Sequence, residues 1–224
     1  MAEPQHDSLL QEIDEELRQE HYAKLWKAYG HYVIAAAIVM VIAVAGYQGW
    51  RAYDAQAREA AGERFAAALA QAKGGDPAGA AQAFSGIAAD ARAGYALLAR
   101  FRQAASIAER GDRPAAAALY RAIAADKSVD SLYRDLALVL AGYQELDTAH
   151  PDALIQELAP LAADANPWRH SAREITALLT ARKGDRDGAR VLLTALAADF
   201  STPPGMRTRA SEMLTAFGPP GDKR

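Results

Sequence analysis

Five histidines, at His6, His21, His31, His150 and His170, are the first places to look for acid–base or metal chemistry near neutral pH. None stands in a His-Glu-x-x-His arrangement, which would turn two imidazoles toward one zinc ion from one helix face. His170 and Glu174, four residues apart, form the one pair with helical geometry; such a pair can orient a general base or supply half a metal site. No nucleophile or further ligand accompanies it, so the pair reads as an exposed contact worth roughly 0.3 kcal/mol. Arg169-His170-Ser171 sets a serine beside a histidine, but sequence neighbours on a helix point in different directions. The chain has no cysteine, which removes thiolate catalysis, disulfides and cysteine-based zinc sites together. Gly74-Gly75 reads as a helix terminator and not as a phosphate loop, and Glu15-Glu16 as solvated acids. Tyr95, Phe101, Tyr133 and Tyr143 fall in helices and read as core positions. The sequence therefore predicts no catalytic residue, no cofactor, no metal and no small-molecule substrate.

Charge excludes another class. The net charge of −3 over 224 residues hides an asymmetry: residues 1–31 hold seven acids against three bases, and the stretch after residue 50 is near neutral. A nucleic-acid partner would need a basic face to neutralise phosphates, and none is present.

From Tyr32 to Trp50 the chain reads YVIAAAIVMVIAVAGYQGW, without a charged residue. As a helix this run is about 28 Å long, close to the ~30 Å hydrocarbon core of a bilayer. Trp26, Tyr29 and Tyr32 precede it, and Tyr47, Trp50 and Tyr53 close it, the girdles expected where amphipathic rings sit at headgroup depth. Ala43-Val44-Ala45 resembles a signal-peptide cleavage site, but the leader before it is long and acidic where a signal peptide is short and basic. The run reads as an uncleaved single-pass anchor. Arg18, Lys24 and Lys27 on one side balance Arg51, Arg58 and Arg64 on the other, so the positive-inside rule returns a tie on orientation. Ala45-x-x-x-Gly49 has small-residue spacing, here a coincidence of an alanine-rich chain.

Ahead of the run, Ser8-x-x-Gln11 has the form of a capping box opening an amphipathic helix through Leu10, Ile13, Leu17 and Leu25, with Glu12, Asp14, Glu15 and Glu16 between them. This acidic stub, residues 1–31, reads as a solvated leader; a docking peptide is the sharper alternative.

Beyond Arg51 helical periodicity is broken at regular intervals, with no runs of alternating β-branched residues. Gly75-Asp76-Pro77-Ala78-Gly79-Ala80 recurs as Gly111-Asp112-Arg113-Pro114-Ala115-Ala116, 36 residues on. It recurs again as Gly184-Asp185-Arg186-Asp187-Gly188-Ala189, 73 residues further. Glycine ends one helix in a left-handed conformation, aspartate caps the next, and Pro77 sits where no backbone donor is needed. Alanine five residues after each glycine (Ala80, Ala116, Ala189) lets two helices lie close. An apolar residue four further on (Phe84, Tyr120, Leu193) fills the shared core. A degenerate copy falls at Asp147-Thr148-Ala149-His150-Pro151, with Asp152 and Gln156 in the alanine and aromatic places. Such hairpins cannot bury their stripes alone and stack. The predicted hairpins are 55–89, 91–126, 131–163 and 167–199, with Asn166-Pro167 opening the helix that carries Trp168. A last helix over 204–217 gives the array a polar end through Arg207, Arg209 and Glu212. The expected fold is all-α: a stub over 1–31, a transmembrane helix over 32–50, a solenoid of helical hairpins over 51–218 and a disordered tail over 219–224.

Glycine-aspartate, alanine and aromatic at these spacings resemble tetratricopeptide repeats. The layout is similar to a bacterial family of membrane-anchored tetratricopeptide-like proteins, ancillary subunits of the Sec translocon. The likeness is carried by the polar leader, Gly49-Trp50-Arg51-Ala52-Tyr53, Gly94-Tyr95-Ala96-Leu97-Leu98-Ala99, and Lys183-Gly184-Asp185-Arg186-Asp187-Gly188-Ala189-Arg190. It implies an inner-membrane protein with a cytoplasmic N-terminus and periplasmic repeats. Such a protein would adapt Sec translocon subunits to periplasmic chaperones and exported clients, with no enzymatic activity. The alternative is a membrane-bound regulator whose stub sequesters a cytoplasmic signalling factor.

Overall fold

A left-handed glycine at the end of a helix is the feature that recurs through the repeat region: Gly75, Gly111, Gly184 and Gly218 have φ of +88°, +89°, +88° and +72°. The structure, a computed structural model, describes residues 4–91 and 93–218, with side chains from residue 23 onward except Ala93. Among the described residues all regular structure is helical: α1 (Pro4–Lys73), α2 (Pro77–Asp90), α3 (Ala93–Glu109), α4 (Arg113–Ala125), α5 (Ser131–Glu145), α6 (Pro151–Leu158), a 3-10 turn (Ala159–Ala162), α7 (Arg169–Arg182), α8 (Arg186–Ala198) and α9 (Pro204–Ala216). The chain divides into two units between Ala57 and Arg58, inside α1.

In the first unit the helix is apolar on all sides across the uncharged run, long and apolar enough to cross a membrane. Its large aliphatic side chains from Val33 to Val44 are 52–70% exposed, and Trp26, Tyr29, Tyr32, Tyr47, Trp50 and Tyr53 are 60–67% exposed. The helix opens at Pro4, ahead of Ser8, so Ser8 lies within the helix and not at its start. The side chains of the acidic stub and the structure of the tail over 219–224 lie outside the described residues.

In the second unit each Gly-Asp turn is built alike. Asp76, Asp112 and Asp185 accept from the backbone N–H of Gly79, Ala115 and Gly188 at 2.9, 3.1 and 2.8 Å, satisfying donors that a helix start leaves open. The hydrogen bond from Gly79, then the one from Gln71, holds the Asp76 carboxyl below the usual carboxylate range. Ala80, Ala116 and Ala189 are fully buried, and Phe84, Tyr120 and Leu193 lie beneath them in the core. Phe84 meets Phe65 edge-on at 5.3 Å between ring centres, joining α2 to the end of α1. Because Gly111 holds φ +89°, the substitution Gly111→Ala is expected to cost about 1–2 kcal/mol, the penalty of a side chain in the left-handed region. A lower urea midpoint by far-UV circular dichroism checks it.

The third hairpin departs from the expected register. Three residues separate the paired helices at 74–76, 110–112 and 183–185, but five do so at 146–150. With the turn two residues longer, Leu154 and Leu158 are the buried residues, not the positions of Asp152 and Gln156. Both stand at the same distance from the helix start at Pro151 as Ala80 and Phe84 do from the one at Pro77, so the start of the second helix, not the glycine, keeps the register. A leucine where the other copies carry alanine thickens the core: Val139, Leu154, Leu158, Leu161, Ala172, Ile175 and Leu179 form one buried cluster. α5 approaches this cluster through Gly142, where a Cβ would come within 3.3 Å of Ile175 and 3.4 Å of Leu158. The α6 helix ends after eight residues, giving way to the 3-10 turn that contains Pro160. The α7 helix begins at Arg169, two residues beyond Pro167, with Asn166 accepting from the Trp168 N–H at 2.8 Å just ahead of it.

Candidate functional site

Each hairpin has two ends: a turn end, where Gly-Asp or its counterpart joins the paired helices, and a return end, where the chain passes to the next hairpin. Both are laced by arginines. At the return end Arg64 reaches Asp90 at 3.4 Å and Arg100 reaches Asp126 at 2.7 Å, each pair 26 residues apart and one repeat from the other. Ser128, then Arg100, holds the Asp126 carboxyl down at about 2. The next arginine in the series, Arg173, turns instead to the carbonyl of Ala162 and to Asp164. Farther along, Arg169 donates to Ser201 at 3.2 Å and the Trp168 indole to the carbonyl of Leu132 at 2.9 Å. At the turn end Arg113 holds Asp147 and the carbonyl of Tyr143, both at 2.7 Å. Arg182 holds the carbonyls of Leu146 and Ala149, Lys183 pairs with Asp152, and Arg190 donates to the carbonyl of Gly218. Arg121 clamps Glu145 and Glu157 together, joining α4, α5 and α6. Exposed ion pairs of this kind contribute about 0–1 kcal/mol each, so their role is to fix how hairpins stack. The 36-residue spacing of Arg64 and Arg100, matched by Asp90 and Asp126, was legible beside the Gly-Asp signal.

His170 and Glu174 are not an exposed pair. Both are buried, and their partners lie about one repeat away in sequence. The Glu174 carboxylate accepts from Tyr143 Oη at 2.5 Å and from Arg209 Nε and Nη2 at 3.0 and 3.1 Å, tying α5, α7 and α9 together. Burial, then the bond to Glu174, pushes the Tyr143 phenol well above its ordinary value. Arg209 thus turns back into the array, while Glu212 faces outward as the polar end required.

Around His170 the fold places Asp199 and Ser201, neighbours in the loop between α8 and α9. Ser201 Oγ is 3.4 Å from Nε2, and Asp199 is 3.9 Å from Nδ1. The geometry does not make a hydrolase. Ser201 Oγ donates to Asp199 at 2.7 Å, so the aspartate takes the proton that a catalytic histidine would abstract. Thr202, not Asp199, meets Nδ1, at 3.1 Å. Among the described residues no group of three potential metal ligands occurs.

Burial, chiefly, with Arg169 adding to it, lowers the His170 pKa below 6.5. A depressed histidine favours the folded state fully above the unfolded value, and this stability is lost as pH falls from about 6.5 toward the folded value. The urea midpoint is expected to fall between pH 7.5 and 5.5, and His170→Asn to flatten that slope.

The motif residues chosen from sequence lie as follows: the glycines and aspartates line the turn end, the alanines and Phe84, Tyr120 and Leu193 the interior, and the six aromatics the surface of the first unit. Together they shape a scaffold of helices with its polar groups used between hairpins. The family profile described as a tetratricopeptide repeat-like domain matches residues 23–200. No curated protein and no solved structure matches the chain. A match over most of the sequence, on an array of helical hairpins with a recurring Gly-Asp turn, places this chain in the tetratricopeptide repeat-like family.

Proposed function

We propose that this protein is a membrane-tethered adaptor, held by the helix over 32–50 and binding other proteins through its repeats. The repeat family supports a protein–protein interaction role. The observation that carries the tether is an uncharged run of helix whose large apolar side chains all face outward, a surface that water does not favour and lipid does. A tether of this kind raises the local concentration of whatever the repeats hold. The ordered likeness to ancillary translocon subunits supports a finer reading. In it the protein sits in a bacterial inner membrane with a cytoplasmic stub and periplasmic repeats, and joins Sec translocon subunits to periplasmic chaperones and exported clients.

The chain lacks cysteine, so one introduced as Asp187→Cys reports topology without a background. A membrane-impermeant maleimide should label it in intact cells whose outer membrane has been permeabilised; labelling only after lysis reverses the orientation. Full-length protein from gently solubilised membranes should copurify with translocon subunits, and should still do so after deletion of residues 2–20. Under the alternative, a regulator whose stub sequesters a cytoplasmic factor, the same deletion should abolish signalling.

A further inference from the structure

Large apolar side chains are not evenly spread over the surface of the repeat unit. Among the described residues from Arg58 onward, those exposed are Leu98, Leu132, Tyr133, Val191 and Phe200, and none lies in a Gly-Asp turn or its counterpart at 146–150. Three of them gather at the return end. Phe200 is 93% exposed in the loop between α8 and α9, and Leu132 and Tyr133, each near 40%, open α5. Two hydrogen bonds make these loops neighbours: Ser201, next to Phe200, receives Arg169, and Trp168, next to Arg169, donates to the Leu132 carbonyl.

The chain enters the repeat unit at this same end. The segment Arg58–Lys73 runs to the first Gly-Asp turn, so its start lies at the opposite, return end, where Arg64 meets Asp90. Arg58 follows Trp50, the last residue of the apolar run, by eight residues. Eight residues span about 28 Å at full extension and about 12 Å as helix, so Arg58 stays within that covalent reach of Trp50.

We propose that the return end is a second membrane contact, in which Phe200, with Leu132 and Tyr133 beside it, seats in the headgroup layer of the bilayer that the apolar run crosses. This rests on the tether proposed above. Aromatic rings with an apolar body favour that layer, and a tethered contact needs little affinity of its own because its effective concentration is already high. The acids of this end are matched by bases, Arg64, Arg100, Lys127, Arg169 and Arg173 among them. The contact is therefore apolar, with zwitterionic lipid, and does not depend on anionic headgroups.

Full-length protein carrying Lys127→Cys, labelled with an environment-sensitive fluorophore and reconstituted into phosphatidylcholine vesicles with nitroxide-labelled lipid, tests this. Lys127 is exposed at the return end and Asp187 at the turn end, so Asp187→Cys is the reference. Lipid-borne quenching is expected to be at least threefold stronger at 127 than at 187, to persist in 1 M salt, and to fall toward the reference when Phe200→Ser is added. Equal quenching at both positions in protein that floats with the vesicles overturns the second contact and leaves the tether standing. Release by salt, or indifference to Phe200→Ser, overturns the apolar seat assigned to Phe200. Protein that fails to float overturns the tether and this contact with it.

Discussion

Two arginines placed in the apolar run, Val39→Arg with Val41→Arg, are expected to move the full chain from the carbonate-resistant membrane pellet into the soluble or aggregated fraction. Each charge at the middle of a spanning helix costs about 2.5–3.5 kcal/mol on insertion scales, so the pair costs about 5–7 kcal/mol. Residues two apart on a helix point about 200° from each other, which prevents both guanidiniums from hiding against one neighbour. Both valines are well exposed, 65% and 68%, and the run contains no acid that could pair with either arginine. Val39→Leu with Val41→Leu should remain in the pellet. A double-arginine protein that still resists carbonate extraction would show that the run is held by something other than lipid.

The second large effect is expected at Arg209. Arg209→Met leaves the Glu174 carboxylate, 2% exposed, with Tyr143 as its one remaining partner among those described. Stranding a buried charge typically costs about 3–5 kcal/mol; the retained Tyr143 bond and the half-exposed guanidinium place the expected loss at about 2–3 kcal/mol. The triple replacement Glu174→Leu, Arg209→Met and Tyr143→Phe removes every polar member at once and should recover most of that loss, since well-packed apolar residues can replace a buried ion network. Urea unfolding in detergent, followed by far-UV circular dichroism, measures both. A single variant costing under about 0.5 kcal/mol would mean that water reaches Glu174 in the folded chain.

How much of this could be read from sequence depended on how far apart the deciding residues lie. Gly75, Gly111 and Gly184 with their aspartates located three turns, because a left-handed terminus and a cap are local chemistry within a few residues. The 146–150 turn was misaligned for a related reason. Counting 36 residues from Gly111 assumes a constant turn length, while the register is set by where the second helix begins, at Pro151. Glu174 and His170 were placed on the surface because the groups that bury and satisfy them, Tyr143, Arg209, Thr202 and Ser201, stand 31 to 35 residues away. A pairwise reading along one helix does not reach that far. The helix over 32–50 posed the opposite case: its length and lack of charge are properties of the run itself.

The irregular third hairpin also has a kinetic consequence. An array that interacts mainly between neighbours starts to fold wherever a short stretch first repays its lost chain entropy, and growth then spreads outward. The clusters on either side carry three and two alanines among their five buried residues, whereas the one shared by α5, α6 and α7 carries a single alanine among seven. Nucleation therefore belongs in the middle of the array, with α9 and the first hairpin adding last and fraying first.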